Sequence, residues 1–161
     1  MLPCWDDYLG DGEAGESLPY YPYAKRPNGC SVPGSIPGAN DTINLFGIII
    51  SFTDICNAHD RCYYTLGTNA RSCNQALQIG MRARCVEIID NQMMTGWDML
   101  TLGTLAATAL ETCYTEADAM AVGVIGAEAI DHPKAQAMQA EYLARVDAYV
   151  VAERAKATDG Q

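Results

Sequence analysis

Cys56 and Cys62 bracket a His-Asp pair in the stretch Cys56-Asn57-Ala58-His59-Asp60-Arg61-Cys62-Tyr63. Two cysteines within two helical turns can tie one helix to two different pieces of chain, which restricts how the rest can be arranged. Read as a helix from Phe52 to Leu66, the segment sets Phe52, Cys56, His59 and Tyr63 on one face, since they stand four, three and four residues apart. Asp60 then points about 100° away from His59, so the pair can serve two neighbouring sites. Ser51 is the expected N-cap, with Asp54 as its acidic partner three residues on.

Seven cysteines in 161 residues imply disulfides and an oxidising destination, hence a secreted or exported protein. Buried free thiols in a cytosolic protein are the alternative, and zinc ligation lacks a second matching half-site. The length suits one domain with a real core, and 49% hydrophobic residues argue against disorder. A formal net charge of −10 disfavours nucleic acid and gives no global attraction to anionic lipid. It leaves room for a local interfacial patch or a basic partner. Met1 to Asp7 has neither the basic start nor the apolar core of a signal peptide. Either a signal was removed, or this is a toxin domain cut from a larger chain or exported by a dedicated machine. The longest low-charge apolar run, between Asp98 and Glu111, is too short to span a bilayer.

Residues 1–26 read as irregular chain, with Tyr20, Tyr21 and Tyr23 either packed over the core or forming an interfacial belt. Gly29, Gly34, Gly38, Pro27, Pro33 and Pro37 make residues 27–41 a loop suited to turning carbonyls inward. Ile43 to Phe52 is too apolar for an exposed loop and is expected to line the core, or an apolar channel leading to His59. A second helix is expected from Arg71 to Asp90, with Cys73, Ala76, Leu77, Gly80 and Arg84 in one stripe. Met81, Cys85 and Ile88 widen its apolar face, and Gly80 permits close helix approach. The short turn from Thr65 to Ala70 makes the first two helices antiparallel neighbours. A third helical region begins near Gly96, with Trp97, Met99, Leu100, Leu102, Leu105 and Leu110 as core candidates. Ala117 to Ile130 is expected to form another helix, Asp131-His132-Pro133 to break the chain, and Lys134 to Lys156 to form the last helix. That helix sets Met138, Tyr142, Val146, Tyr149 and Val150 on one side. His132, in the break, is expected at the surface, which leaves His59 as the candidate base of the two histidines.

The string C-x-x-H-D-x-C-Y at Cys56–Tyr63 resembles the active-site helix of secreted phospholipases A2. Pro27-Asn28-Gly29-Cys30-Ser31-Val32-Pro33-Gly34 is similar to that family's calcium loop, and Ser72-Cys73-Asn74 to the start of its second long helix. The three stand in the family's order over about Pro27 to Cys85, and the likeness is closest to the compact microbial phospholipase A2-like domains. The resemblance implies an all-α fold: a disulfide-stapled core with two antiparallel long helices, and additional C-terminal helices. It implies one domain over residues 1–161, with an irregular segment (1–26), a core (27–114) and a C-terminal helical extension (115–161).

The implied activity is calcium-dependent hydrolysis of the sn-2 ester of glycerophospholipids at a membrane or micelle surface, releasing a fatty acid and a lysophospholipid. By the resemblance, His59 is the base and Asp60 the carboxylate ligand of calcium. The carbonyls of Gly29, Ser31 and Pro33 complete the metal site, Tyr63 braces the network, and Asn74 orients His59. Cys30–Cys56 would pin the loop to the helix, and Cys62–Cys73 would staple the first two helices. Cys85 and Cys113 are then assigned to each other as the remainder, and Cys4 is left over.

Two departures stand out. Ser31 and Pro33 occupy positions where better-known members have Gly, which touches metal affinity more than metal position. Asn74 stands where the family has Asp. Its oxygen can accept from the imidazole, but it cannot neutralise an imidazolium, and it can present its NH2 and favour the wrong tautomer. A slower enzyme is expected, with Asp90 or Asp98 as substitutes for the missing carboxylate. The alternative is a protein of the same fold that binds a lipid, a membrane or a protein without hydrolysis. If the chain is a toxin, an immunity or inhibitor protein is the expected partner.

Overall fold

The computed structural model describes residues 21–30, 41–93, 99–126 and 128–159. The order is two short strands, β1 (Thr42–Leu45) and β2 (Ile48–Ser51), then four helices: α1 (Thr53–Tyr63), α2 (Ala70–Met93), α3 (Met99–Ile125) and α4 (Glu128–Asp159). The fold is mostly helical, as expected, and the strands are an addition. The apolar run after Ile43 is too short for periodicity to tell strand from core loop. Phe46 and Gly47, at φ 53° and 87°, form the two-residue turn that reverses the chain. The Asn44 side chain holds the turn by accepting the Gly47 N–H at 3.0 Å. Pairing of Ile43 with Ile50 and Leu45 with Ile48 turns these four side chains to one face, packed into the core. Phe46 and Ile49 point outward, so the run is only partly a core segment.

Helix α1 starts one residue later than expected. Phe52 occupies the N-cap with no side-chain cap bond, because Ser51 is held as the last residue of β2. Asp54 caps nothing and instead pairs with Arg84 of α2. The predicted face holds, with Phe52, Cys56, His59 and Tyr63 all buried.

Cys62–Cys73, the Asp54–Arg84 ion pair and the approach of Ile55 to Gly80 run α2 back along α1 in the antiparallel sense. A Cβ on Gly80 would stand 3.0 Å from Ile55 Cγ2, so the missing side chain is what lets these helices approach. The buried stripe of α2 is Cys73, Leu77, Met81, Cys85 and Ile89, at a spacing of four. Ala76 lies outside it, exposed, because it precedes the stripe residue Leu77 by one. Cys85–Cys113 and Arg82–Asp118 lay α3 antiparallel on α2. The chain thus carries all three expected disulfides, with Cys30–Cys56 the remaining one. Cys4, Trp97 and Asp98 lie outside the described residues, and of Met99, Leu100 and Leu102 only the helical backbone is described.

One continuous helix, α3, replaces the two expected between Gly96 and Ile130, and it ends at Gly126. The last helix starts at Glu128 and not at Lys134, so Asp131-His132-Pro133 lies inside it. Pro133 falls in the second turn, where it gives up the backbone bond to the Ala129 carbonyl, and the helix continues through it. The inward stripe of α4 is Ala135, Gln139, Tyr142 and Val146, while Met138 sits at its margin. Gln139 accepts from Ala24 N–H at 2.7 Å and donates to the Pro22 carbonyl at 2.8 Å. Tyr142 donates to the Tyr21 carbonyl at 2.6 Å. Tyr21 is therefore buried against α4, in keeping with packing over an anchor belt. Among the described residues no helix is long and apolar enough to cross a membrane.

Candidate functional site

Helix α1 carries His59 on its buried face and Asp60 on its flank, one residue on. The Cys62–Cys73 link sets the first turn of α2 against the last turn of α1, which brings Asn74 across from His59. His59 Nε2 and Asn74 Oδ1 are 2.8 Å apart. An amide oxygen only accepts, so Nε2 carries the hydrogen and Nδ1 keeps its lone pair. The Tyr63 hydroxyl donates to the same oxygen at 2.9 Å, and its ring lies 4.3 Å from the imidazole, centroid to centroid. Burial lowers the His59 pKa below the ordinary imidazole value, against the opposing pull of the Asn74 bond and the Asp60 charge. Burial likewise raises the Tyr63 phenol.

On the neighbouring flank, Cys30–Cys56 draws the loop residues Asn28–Cys30 onto α1. Asn28 N–H donates to Asp60 Oδ2 at 3.2 Å, and Gly29 N–H donates to Asn57 Oδ1 at 2.8 Å. Cys30 N–H donates to Asp41 Oδ1 at 2.8 Å. Gly29 has φ 78°, and a Cβ there would meet Asp41 Oδ2 at 2.1 Å, so both conformation and space require glycine. Burial raises the Asp60 pKa, only partly offset by the Asn28 N–H. A carboxylate pressed out of water is one of the donors a hard cation takes, and the described loop meets α1 through N–H groups. Of the expected calcium ligands, Asp60 and Gly29 both line the same cavity, so the described residues fit a hard cation to the extent of one carboxylate and one loop position. Ser31 and Pro33 lie outside the described residues. Among the described residues no three His, Cys, Asp or Glu side chains converge on a metal position, so backbone oxygens would have to complete the set.

His59 and Asp60 open into one cavity of about 400 Å³, lined also by Lys25, Asn28, Gly29, Tyr64 and Met138. None of residues 45–52 lines it, so of the two parts expected of this run it takes the core and not the channel wall. The hairpin's apolar face is used up in packing on α2 and α3.

Two residues come to this site that the sequence did not offer. His132, expected at the surface, is half-buried, with its ring 5.0 Å edge-on from Tyr63. Glu128, the first residue of α4, accepts Asn74 Nδ2–H at Oε2, 2.7 Å away. It occupies the place for which Asp90 was a candidate. Asp90 is exposed near the far end of α2. The cue for Glu128 was indirect: a buried amide that gives its oxygen to His59 leaves an NH2 in need of an acceptor.

The chain is 32% identical over 82 residues to the group XIIA secretory phospholipase A2 of Mus musculus, a match covering 47% of this chain and 37% of that protein. The group XIIA secretory phospholipase A2 of Homo sapiens matches at the same identity and length, over 38% of its own chain. The chain thus spans well under half the length of these curated relatives. No protein-family model matches it, and no solved structure does. The identity relates the chain to the secretory phospholipases A2 at superfamily level.

Proposed function

We propose that the chain is a calcium-dependent phospholipase A2, cleaving the sn-2 ester of glycerophospholipids at a membrane or micelle surface. The observation that carries this reading is the bond from His59 Nε2–H to Asn74. It leaves Nδ1 as the free basic nitrogen in a cavity that also holds Asp60 and the 28–30 loop. In the proposed reaction Nδ1 takes a proton from a water whose oxygen attacks the ester carbonyl carbon. The same nitrogen returns the proton to the leaving alcohol oxygen, so fatty acid and lysophospholipid account for all atoms. Asn74 and Tyr63 hold the imidazole through both transfers. When bound at Asp60 and the loop carbonyls, calcium supplies charge to polarise the ester carbonyl and to hold the phosphate. The three disulfides and the relatives' secretory character favour an extracellular or other oxidising setting.

The test is mass-spectrometric product analysis on mixed phospholipid vesicles, with calcium or chelator, beside His59→Ala. Calcium-dependent fatty acid plus lysophospholipid, lost in the variant, is expected. Folded, disulfide-intact protein that forms neither product in either condition refutes the hydrolase reading and favours the fold as a binding module. The Asn that replaces an acidic partner of His59 is the feature such a module would share.

A further inference from the structure

The Asn74 amide can sit in its slot two ways round, and three groups touch it: His59, Tyr63 and Glu128. Two of them are adaptable. A neutral imidazole can donate or accept at Nε2 by changing tautomer, and a phenol hydroxyl can donate or accept by rotating. A carboxylate oxygen only accepts. Glu128 is therefore the one partner of the three that dictates the answer. It takes the NH2, so the oxygen must face His59 and Tyr63. His59 then carries its hydrogen on Nε2.

We infer that Glu128 is a positioning residue, which sets the tautomer of His59 through the Asn74 amide. The pair divides between two side chains what one carboxylate does elsewhere: Asn74 offers the accepting oxygen, and Glu128 supplies the negative charge behind it. The contact bridges 54 positions of sequence, from the first turn of α2 to the first residue of α4. The start of α4 is thus built into the surroundings of His59. The inference deepens the hydrolase reading and rests on it for the kinetic half of its test, though not for the spectroscopic half.

A purely structural role also exists for an acidic residue at a helix start, where it complements the helix dipole. That role is indifferent to what stands at position 74, and this separates the two. Long-range 1H–15N correlation spectra of the full chain report which ring nitrogen of His59 is protonated. The Nε2–H form alone is expected in the unmodified protein. Glu128→Ala is expected to give a mixture of tautomers, and Glu128→Gln, which keeps an accepting oxygen, a predominantly Nε2–H ring. On vesicles, Glu128→Ala is expected to lower kcat about tenfold, with KM little changed.

The decisive arm is made in the Asn74→Asp background, where Glu128 faces another carboxylate and Glu128→Gln supplies a donor. There Glu128→Gln is expected to raise kcat, whereas in the unmodified background it lowers it. A Nε2–H ring that persists unchanged in folded Glu128→Ala overturns the inference. So does a loss of the same sign in both backgrounds. Should none of the variants turn over lipid, the spectra still decide the matter, and only the hydrolase reading fails.

Discussion

Gly29 offers a quantitative test of how the 28–30 loop is held against α1. Substitution to Ala has two separate effects. An L side chain at φ 78° costs about 1 kcal/mol in backbone strain. The new Cβ also falls 2.1 Å from Asp41 Oδ2 and 2.9 Å from its Cγ, so the Asp41 side chain must leave. Asp41 is then lost as acceptor for the buried Cys30 N–H, a bond to a charged group worth about 1.5–3 kcal/mol. Gly29→Ala should therefore destabilise by about 2.5–4 kcal/mol.

Asp41→Ala alone removes the same bond and should cost about 1.5–3 kcal/mol. In the double variant the Cβ meets nothing at position 41, so only the backbone strain is added. The two effects should then fall short of additivity by roughly the value of the Asp41–Cys30 bond, about 1.5–3 kcal/mol. Urea titration of the four proteins, with disulfides intact and m-values compared, measures the coupling. Additivity within about 0.5 kcal/mol would mean that Asp41 does not contact Gly29 in this way, and the account of the loop would be wrong. In the same proteins the calcium concentration for half-maximal turnover should rise for Gly29→Ala, because the loop that meets Asp60 moves.

Replacing both Cys85 and Cys113 by Ser opens a loop with a sequence separation of 28 and should cost about 3.6 kcal/mol, read by the same titration. Tyr63→Phe removes one of the two donors to Asn74 Oδ1 but keeps the ring on His59, so a loss of about 1 kcal/mol is expected by thermal unfolding. For pH, the sign follows from burial. His59 works as a base only when neutral, and burial lowers its pKa, so the acid limb of kcat/KM should lie below the usual imidazole range. A limb above that range would contradict the described environment. Protonating this buried ring also costs stability, so the fold should weaken as pH falls below the unfolded imidazole value of about 6.5.

Spacing within one helix was readable, and contacts between distant helices were not. Phe52, Cys56, His59 and Tyr63 could be placed on one face because the period of a helix is fixed by its backbone. The Asn28–Cys30 loop and the start of α2 could be placed because the resemblance implied which cysteines pair, and the chain carries those pairs. The hairpin escaped because the four core-facing residues of its apolar run, two buried and two half-buried, are too few for periodicity to tell strand from core loop. The helical break at Asp131-His132-Pro133 was misplaced for a different reason. Proline favours a helix start, and nothing local says that the helix has already begun at Glu128, five residues before it. That single displacement also hides Glu128 and His132 from the site, since Glu128 falls near the end of the expected 117–130 helix and His132 in the expected break.

The last helix therefore has more to do with His59 than its distance in sequence suggests. Its first residue holds Asn74, and Met138 in its third turn lines the cavity. Gln136 Nε2 donates to the carbonyls of Tyr63 and Thr65, and its Oε1 accepts from Gly67 N–H, which closes the C-terminal end of α1. Gln139 and Tyr142 then fasten the segment that leads into the Asn28–Cys30 loop. The three disulfides join the 28–30 loop, α1, α2 and α3 to one another and leave α4 out. Among the described residues its hold on the rest comes from polar side chains, the Ala135–Val146 stripe and the His132 ring against Tyr63. Reduction should loosen the first group of elements before it touches this docking, whereas substitutions at Gln136 or Gln139 should act on the site with all the disulfides in place.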